Sequence, residues 1–151
     1  MSNDNVISTL NSLIETCKDC EKGFLTCSEN FSDTNLKSEF EMRARRSIQA
    51  AGELQDLVRT LGGKPATGSS VGATLHRRWI DIKAAILGQD DEAILNECER
   101  GEDHAKDSYR SALAKDLPLE IHGIVNRQYL AVMQDHDMVR ALRDKLHAHH
   151  D

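Results

Sequence analysis

Four long stretches of the sequence carry an apolar residue at every third or fourth position, and this pattern constrains the fold more than any other feature. The stretches cover about 3–30, about 33–61, about 90–115 and about 118–149. Such spacing aligns the apolar side chains along one face of an α-helix. The sequence therefore predicts four amphipathic helices of about 25 to 30 residues, each roughly 40 Å long.

The residues between these stretches are typical of helix ends. The turn cluster at 32–35 offers capping side chains for the second helix. Gly62 and Gly63 end that helix, because glycine readily adopts the left-handed conformation of a C-cap. Pro118 suits the first turn of the last helix. No alternating β pattern is present and only 4% of the residues are aromatic, so the chain is predicted to be all-α.

A connection of about 27 residues joins the second long helix to the third, which is too long for a simple up-and-down bundle. Its apolar spacing predicts a short helix at about 71–87. We predict one domain over 1–151, in which hairpins at about 3–61 and about 90–149 are joined by this crossover helix. A four-helix bundle with one long crossover is the ferritin-like arrangement.

Charge and hydropathy exclude several classes of function. Lys and Arg number 19 and Asp and Glu number 25, which gives a formal net charge of −6. No nucleic-acid partner is expected, because neutralising phosphates needs net positive charge. No run of about 18 apolar residues is available to span a membrane. The N-terminus lacks the basic and apolar regions of a secretory signal, so we expect a cytoplasmic protein.

Cysteine usage favours a structural role. The Cys17-x-x-Cys20 spacing is compatible with a redox or zinc motif, but no βαβ context and no second close-set pair accompanies it. Positions 17, 20 and 27 instead fit one side of a helix, where cysteine behaves as a small apolar residue. In the cytoplasm we expect these three and Cys98 to be reduced thiols.

Four segments carry a resemblance to a known family. They are 62–65 (GGKP), 75–80 (LHRRWI), 90–103 (DDEAILNECERGED) and 136–140 (HDMVR). Together they resemble a bacterial ferritin-like four-helix-bundle family of unknown function, over about 5–144. The resemblance implies the fold and, by analogy with related ferritin-like bundles, a role in stress physiology and association into homodimers. It implies no particular activity, since a fold does not determine function.

The ligand pattern of a di-iron site is incomplete in this sequence. Ferritin-like di-iron proteins place one Glu on each of two helices and Glu-x-x-His on each of the other two. Here no Glu-x-x-His occurs: the second helix offers only Glu53-x-x-Asp56, and Met133 stands three residues before His136. We therefore expect the protein not to be an enzyme of this kind.

Polar residues nevertheless stand in or beside the apolar faces of all four long helices. Glu21, Glu102 and His136 stand where apolar residues are expected, and Arg43 lies beside the apolar face of the second helix. Each is about 11 to 13 residues from one end of its helix, so at 1.5 Å per residue a single-crossover bundle is expected to hold them in one layer.

This polar layer has two interpretations. In the first it binds iron or manganese, and the ligands are Glu21, Glu102 and His136, helped by Glu53 or Glu99. In the second, Arg43, Arg46 or His136 pairs with the carboxylates, since a buried carboxylate must be paired or neutralised. We favour the second, because Glu-x-x-His is absent and an arginine opposes cation binding.

The sequence thus predicts a non-catalytic binding or interaction protein of bacterial stress physiology, with no cofactor and an unidentified protein partner. The alternative prediction is a metal-binding ferritin-like protein with oxidase or iron-handling activity. Residues 76–79 of the short helix are either a recognition patch or, through Trp79, an anchor of the crossover to the bundle.

Overall fold

In the computed structural model, residues 1–68, 82 and 84–150 are described, the last two of them without their side chains. They form four long helices: α1 (Asn3–Asn30), α2 (Thr34–Thr60), α3 (Asp91–Leu113) and α4 (Leu119–His150). No strand occurs in this part of the chain. The prediction of an all-α chain of four long helices is confirmed.

The predicted crossover helix at 71–87 falls largely outside the described residues, as does the predicted patch at 76–79. Of the crossover, Ile82 and residues 84–86 are helical. Ile82 and Ile86 are buried in the core beside residues of α1 and α3. The connection therefore contributes apolar side chains to the bundle.

The helix ends are formed by the residue types that the sequence pattern indicates. The Asp33 carboxylate accepts the backbone N–H of Asn35 at 2.7 Å, and the Asp90 carboxylate accepts that of Ala93 at 2.9 Å. These bonds satisfy N–H groups that have no partner within the helix. Gly62 follows α2 with a φ of 83°, a conformation that a side chain would strain.

Contacts between helix ends fix the topology. The Asn3 side-chain amide donates to the Leu61 carbonyl at 2.9 Å, so α1 begins where α2 ends. The backbone N–H of Ser32, between α1 and α2, donates to Asp91 Oδ1 at 2.7 Å, so α3 begins at the opposite end of the bundle. The end of α2 and the start of α3 therefore lie at opposite ends of the bundle, as in the predicted single-crossover arrangement.

The interior contains two apolar clusters, one toward each end of the bundle. The first centres on three aromatic rings: the centroids of Phe31 and Phe40 are 4.9 Å apart and those of Phe24 and Phe40 are 6.0 Å apart. The second is mainly aliphatic; it includes Val6, Leu10, Leu13, Ile14, Leu54, Val58, Tyr109 and Val125. None of the described helices is long and apolar enough to cross a lipid bilayer.

A disulfide between Cys27 of α1 and Cys98 of α3 corrects the expectation of four reduced thiols. Both residues are fully buried and lie on facing helices. Cys17 and Cys20 are also buried and remain thiols. The sequence could not predict the pairing, because the cysteines are 71 positions apart and only helix packing brings them together.

Candidate functional site

A buried ion pair joins α2 to α3 at the centre of the bundle. Arg43 Nη1 donates to Glu102 Oε1 at 3.1 Å and to the Asp135 backbone carbonyl of α4 at 3.0 Å. Both charged residues are only 1% exposed. The Arg43 guanidinium also lies over the Phe40 ring, with Cζ 4.7 Å from its centroid. Glu102 is therefore paired with arginine, as in the second interpretation of the polar layer.

The protonation of Glu102 is governed by its burial. Burial raises the pKa of its carboxyl to about 8, and Arg43 only partly offsets this, while Asp135 and Asp103 raise it further. Burial also raises the pKa of Asp135, against the lowering effect of Arg43 and Arg46. Burial therefore opposes the ionisation of Glu102, and the Arg43 guanidinium favours it.

Several polar atoms of this pair have no hydrogen-bond partner although they are buried. These atoms are Arg43 Nε, Arg43 Nη2 and Glu102 Oε2. Arg43 Nη2 does lie within ion-pair distance of Glu39, 3.7 Å from its Oε1. Buried polar groups without hydrogen bonds are unfavourable, so they offset part of the free energy that the contact between Arg43 and Glu102 contributes.

His136 belongs to a separate cluster of charged residues between α3 and α4. It is 4% exposed. Its Nε2 is 2.7 Å from Asp103 Oδ1 and 3.6 Å from Glu99 Oε1, without the alignment of a hydrogen bond. Glu99 is also paired with Arg143, and it lies 3.6 Å from Arg140 Nε. Two guanidinium groups on this carboxylate disfavour a divalent cation beside it.

The other two predicted ligands are in different surroundings. Glu21 is partly exposed and lies 4.0 Å from Lys18 on its own helix. Glu53 accepts a hydrogen bond from Gln128 at 2.7 Å and is paired with Arg127. Of the five predicted ligands, the contacts place Glu99 beside His136 and leave Glu21, Glu53 and Glu102 with other partners. Within the described residues, no group of three His, Cys, Asp or Glu is arranged to hold a metal ion.

A cavity of about 350 Å³ between α2 and α4 reaches the buried ion pair. Its floor is formed by α1 and α3 and is largely apolar; these lining residues include Cys17, Cys20, Phe24, Ala105 and Tyr109. Its sides carry charged residues of α2 and α4, namely Arg43, Arg46, Glu53, Arg127 and Asp135. The volume lies within the range of small-molecule binding pockets, about 300–1,000 Å³.

One end of this cavity is closed by a chain of hydrogen bonds. Tyr109 Oη donates to Gln128 Oε1 at 2.8 Å, and Gln128 Nε2 donates to Glu53 Oε1 at 2.7 Å. Cys17 Sγ lies 3.2 Å from Tyr109 Oη. Burial raises the pKa of the Cys17 thiol to about 11 and the pKa of Tyr109 well above its usual value. Neither group is therefore an activated nucleophile at neutral pH.

Glu102 and His136, which interrupt apolar faces in the sequence, and Arg43, which lies beside one, are all buried. The roles of Tyr109 and Gln128 and the presence of the cavity are not predicted from the sequence. The sequence does contain a signal for Gln128. It is a polar residue four positions before Val132, where the apolar face of α4 predicts an apolar residue.

Comparisons with known proteins agree with this architecture. Residues 5–115 match the family described as a domain of unknown function (DUF2383). The comparison with curated proteins found no match. Among solved structures, a Dps1 mutant from Mycobacterium smegmatis matches at 16% identity with a TM-score of 0.77, over 95% of this chain and 99% of that chain. At this identity the match shows the fold, and the predicted ferritin-like four-helix bundle is confirmed.

Proposed function

We propose that this protein is a non-catalytic binding protein. The chain belongs to the DUF2383 family and has a ferritin-like fold. The ligand site in this proposal is the cavity between α2 and α4. The observation that supports it is that this cavity of about 350 Å³ has a largely apolar floor and charged residues along its sides. A ligand in the cavity would cover that apolar surface.

The side chains around the cavity favour binding over catalysis. Cys17 and Tyr109 are held in their protonated forms by burial, which raises the pKa of each. Glu102 has a strong partner in Arg43. By analogy with ferritin-like bundles, the proposal includes a bacterial cytoplasmic setting, a role in stress physiology, and association as a homodimer or with another protein.

Filling the cavity is expected to abolish binding of a small apolar ligand. Ala131 lines the cavity mouth on α4 and is exposed, so Ala131→Trp adds bulk there without disturbing the core. Octan-1-ol binding, measured by isothermal titration calorimetry, is expected to weaken at least about tenfold in this variant. Ala141→Trp is the matched control, since Ala141 is an exposed alanine of α4 outside the cavity lining. Unchanged binding by Ala131→Trp would contradict the proposal.

The second candidate function is binding of iron or manganese at the polar layer. It is favoured by the unpartnered Glu102 Oε2 and by the closeness of His136 to Glu99 and Asp103. Arg43 argues against it, because a guanidinium 3.1 Å from Glu102 repels a cation.

Metal analysis of protein purified without chelator separates the two functions. A non-metal binding protein is expected to contain substoichiometric iron and manganese in the wild type. Glu102→Ala tests the site. Glu97→Ala is the control, because Glu97 lies on the same helix and its Oε1 is 3.4 Å from Arg100 Nη1. Stoichiometric metal that is lost in Glu102→Ala and kept in Glu97→Ala would establish the metal-binding function instead.

A further inference from the structure

The charged side chains around the α2–α4 cavity are arranged as pairs of opposite charge. Among the described residues, the lining contains three arginines and three acids, and each arginine is within ion-pair distance of one of these acids. The pairs are Arg43 with Glu102 at 3.1 Å, Arg46 with Asp135 at 3.5 Å, and Arg127 with Glu53. The positive and negative groups therefore match one another in number and in position.

A charged ligand gains little from such a lining. An anion that approaches an arginine also approaches the acid paired with it, which repels the anion, and a cation meets the reverse arrangement. Either ion also loses its hydration on entering a cavity whose floor is largely apolar, which is strongly unfavourable without a partner. To gain a partner, the ion would have to displace one member of an existing pair. The paired charges therefore disfavour anions and cations alike.

Several uncharged polar groups of the lining are also bonded within the protein. Tyr109 Oη donates to Gln128 Oε1 at 2.8 Å, and Gln128 Nε2 donates to Glu53 Oε1 at 2.7 Å. The hydroxyl groups of Thr16 and Ser47 each donate to a carbonyl of their own helix at 3.1 Å. A ligand gains little by presenting a polar atom to groups that already have partners. The apolar floor is therefore the main source of affinity that the cavity offers.

Two of the charged pairs bound the opening of the cavity between α2 and α4. Arg46 and Arg127 are 45% and 62% exposed, and each reaches across to an acid of the opposite helix. On α4, Arg127 and Asp135 are about 12 Å apart along the helix axis at the helical rise. Ala131 lies midway between them, and its small side chain is exposed. A molecule that enters beside Ala131 therefore passes between two ion pairs before it reaches the apolar floor.

We propose that the cavity binds an uncharged, mainly apolar molecule of about ten to twelve non-hydrogen atoms and discriminates against ions of the same size. This inference rests on the proposed binding function and names its ligand class. The size follows from the volume: an apolar cavity of about 150 Å³ holds one benzene molecule, and this cavity of about 350 Å³ is roughly twice as large. The apolar floor supplies the affinity, and the paired charges supply the discrimination.

The first test compares three ligands of equal chain length and different charge. Octan-1-ol, octanoate and octylammonium are titrated into the wild-type protein below their micellar concentrations, with calorimetry as the measurement. Octan-1-ol is expected to bind at least about tenfold more tightly than either ion. A smaller difference for either ion would overturn the inference and leave the binding function standing. Failure of all three ligands to bind would overturn the binding function itself.

The second test breaks one ion pair of the opening from each side. Glu53→Gln leaves Arg127 without its acid, so octanoate is expected to gain at least about threefold in affinity relative to the wild type. Arg127→Gln leaves Glu53 without its arginine, so octylammonium is expected to gain by a similar factor. Both side chains are partly exposed, at 37% and 62%, and glutamine at position 53 keeps an oxygen that can accept from Gln128.

The matched controls are Arg45→Gln and Glu120→Gln, because both residues are exposed and lie outside the cavity lining. Each control changes the net charge of the protein as its test variant does, and the affinity for every ligand is expected to stay within about 1.5-fold of the wild type. Octan-1-ol binding is expected to be equally unchanged in all four variants. A gain of the same ion in both test variants, or no gain in either, would overturn the role of the paired charges. Octan-1-ol binding by the wild type would then still support the binding function.

Discussion

Replacement of Arg43 with methionine is expected to lower the free energy of unfolding by roughly 3 to 5 kcal/mol at pH 9 and by about half as much at pH 6. The variant leaves the Glu102 carboxyl buried with no opposite charge, since Arg43 is its ion-pair partner at 3.1 Å. Breaking a buried pair by removing one member is among the most destabilising single substitutions.

The pH dependence follows from the raised pKa of Glu102, which is about 8 in the folded protein against an ordinary value of 4.5. A raised pKa means that the folded state holds the proton more tightly than the unfolded state. The contribution of Glu102 to the free energy of unfolding is therefore fully present below about pH 4.5 and is lost as the pH rises to about 8. Without Arg43 the folded pKa rises further, so the variant goes on losing stability above the pH at which the wild type levels off.

Urea unfolding followed by circular dichroism at pH 6 and pH 9 measures this difference. The double variant Arg43→Met with Glu102→Leu removes both charges, and it is expected to recover most of the loss at pH 9. Arg45→Met, at an exposed position of α2, is expected to change stability by less than about 0.5 kcal/mol. An equal loss in Arg43→Met at both pH values would show that Glu102 is not the group responsible.

The positions of the four helices could be predicted because helical periodicity is a local property of the sequence. The first predicted helix, about 3–30, is observed as Asn3–Asn30, and the third, about 90–115, as Asp91–Leu113. Each apolar face repeats every three or four residues whatever the partner helix is. Side-chain caps such as Asp33 act within their own turn, so the first residue of a helix can also be predicted from the local sequence.

The polar layer was only partly predictable, because neighbouring positions can satisfy the same spacing. Cys20 and Glu21 both lie three or four residues from Cys17 and Phe24, so either fits the apolar face of α1. The structure buries Cys20 and leaves Glu21 partly exposed. The physical reason is desolvation: a thiol enters an apolar interior at much lower free energy than a carboxylate without a partner. Glu102 could be buried because Arg43 is opposite it.

The cavity could not be predicted from periodicity, because it depends on the separation of helices distant in sequence. Small side chains of three helices border it, namely Ala50, Ala105 and Ala131. An alanine on a helical face is compatible with close packing as well as with a gap. Whether the alanines pack closely or border a gap depends on the larger residues around them, such as Phe24 and Tyr109, which also line the cavity. Tertiary coordinates are needed to distinguish these cases.

Removal of the Cys27–Cys98 cross-link is expected to lower the free energy of unfolding by about 4 kcal/mol. The cysteines are separated by 71 residues, and a cross-link that closes so long a loop strongly restricts the unfolded chain. For a chain of this size the loss corresponds to a fall in Tm of about 10 °C. Differential scanning calorimetry of the wild type with and without reductant measures it. The variant with Cys27→Ala and Cys98→Ala serves as the control, because it should not respond to reductant.

The same cross-link tests the proposed cytoplasmic setting, since disulfides are uncommon in reducing compartments. Both sulfur atoms are fully buried, so reductants reach them only after α1 and α3 separate. Cells are quenched in acid, and the protein is then alkylated in denaturant without reductant and weighed by mass spectrometry. A protein of the cytoplasm is expected to have reduced Cys27 and Cys98, so that all four cysteines are alkylated. Alkylation of Cys17 and Cys20 alone would show that the cross-link persists in the cell and would contradict the cytoplasmic setting.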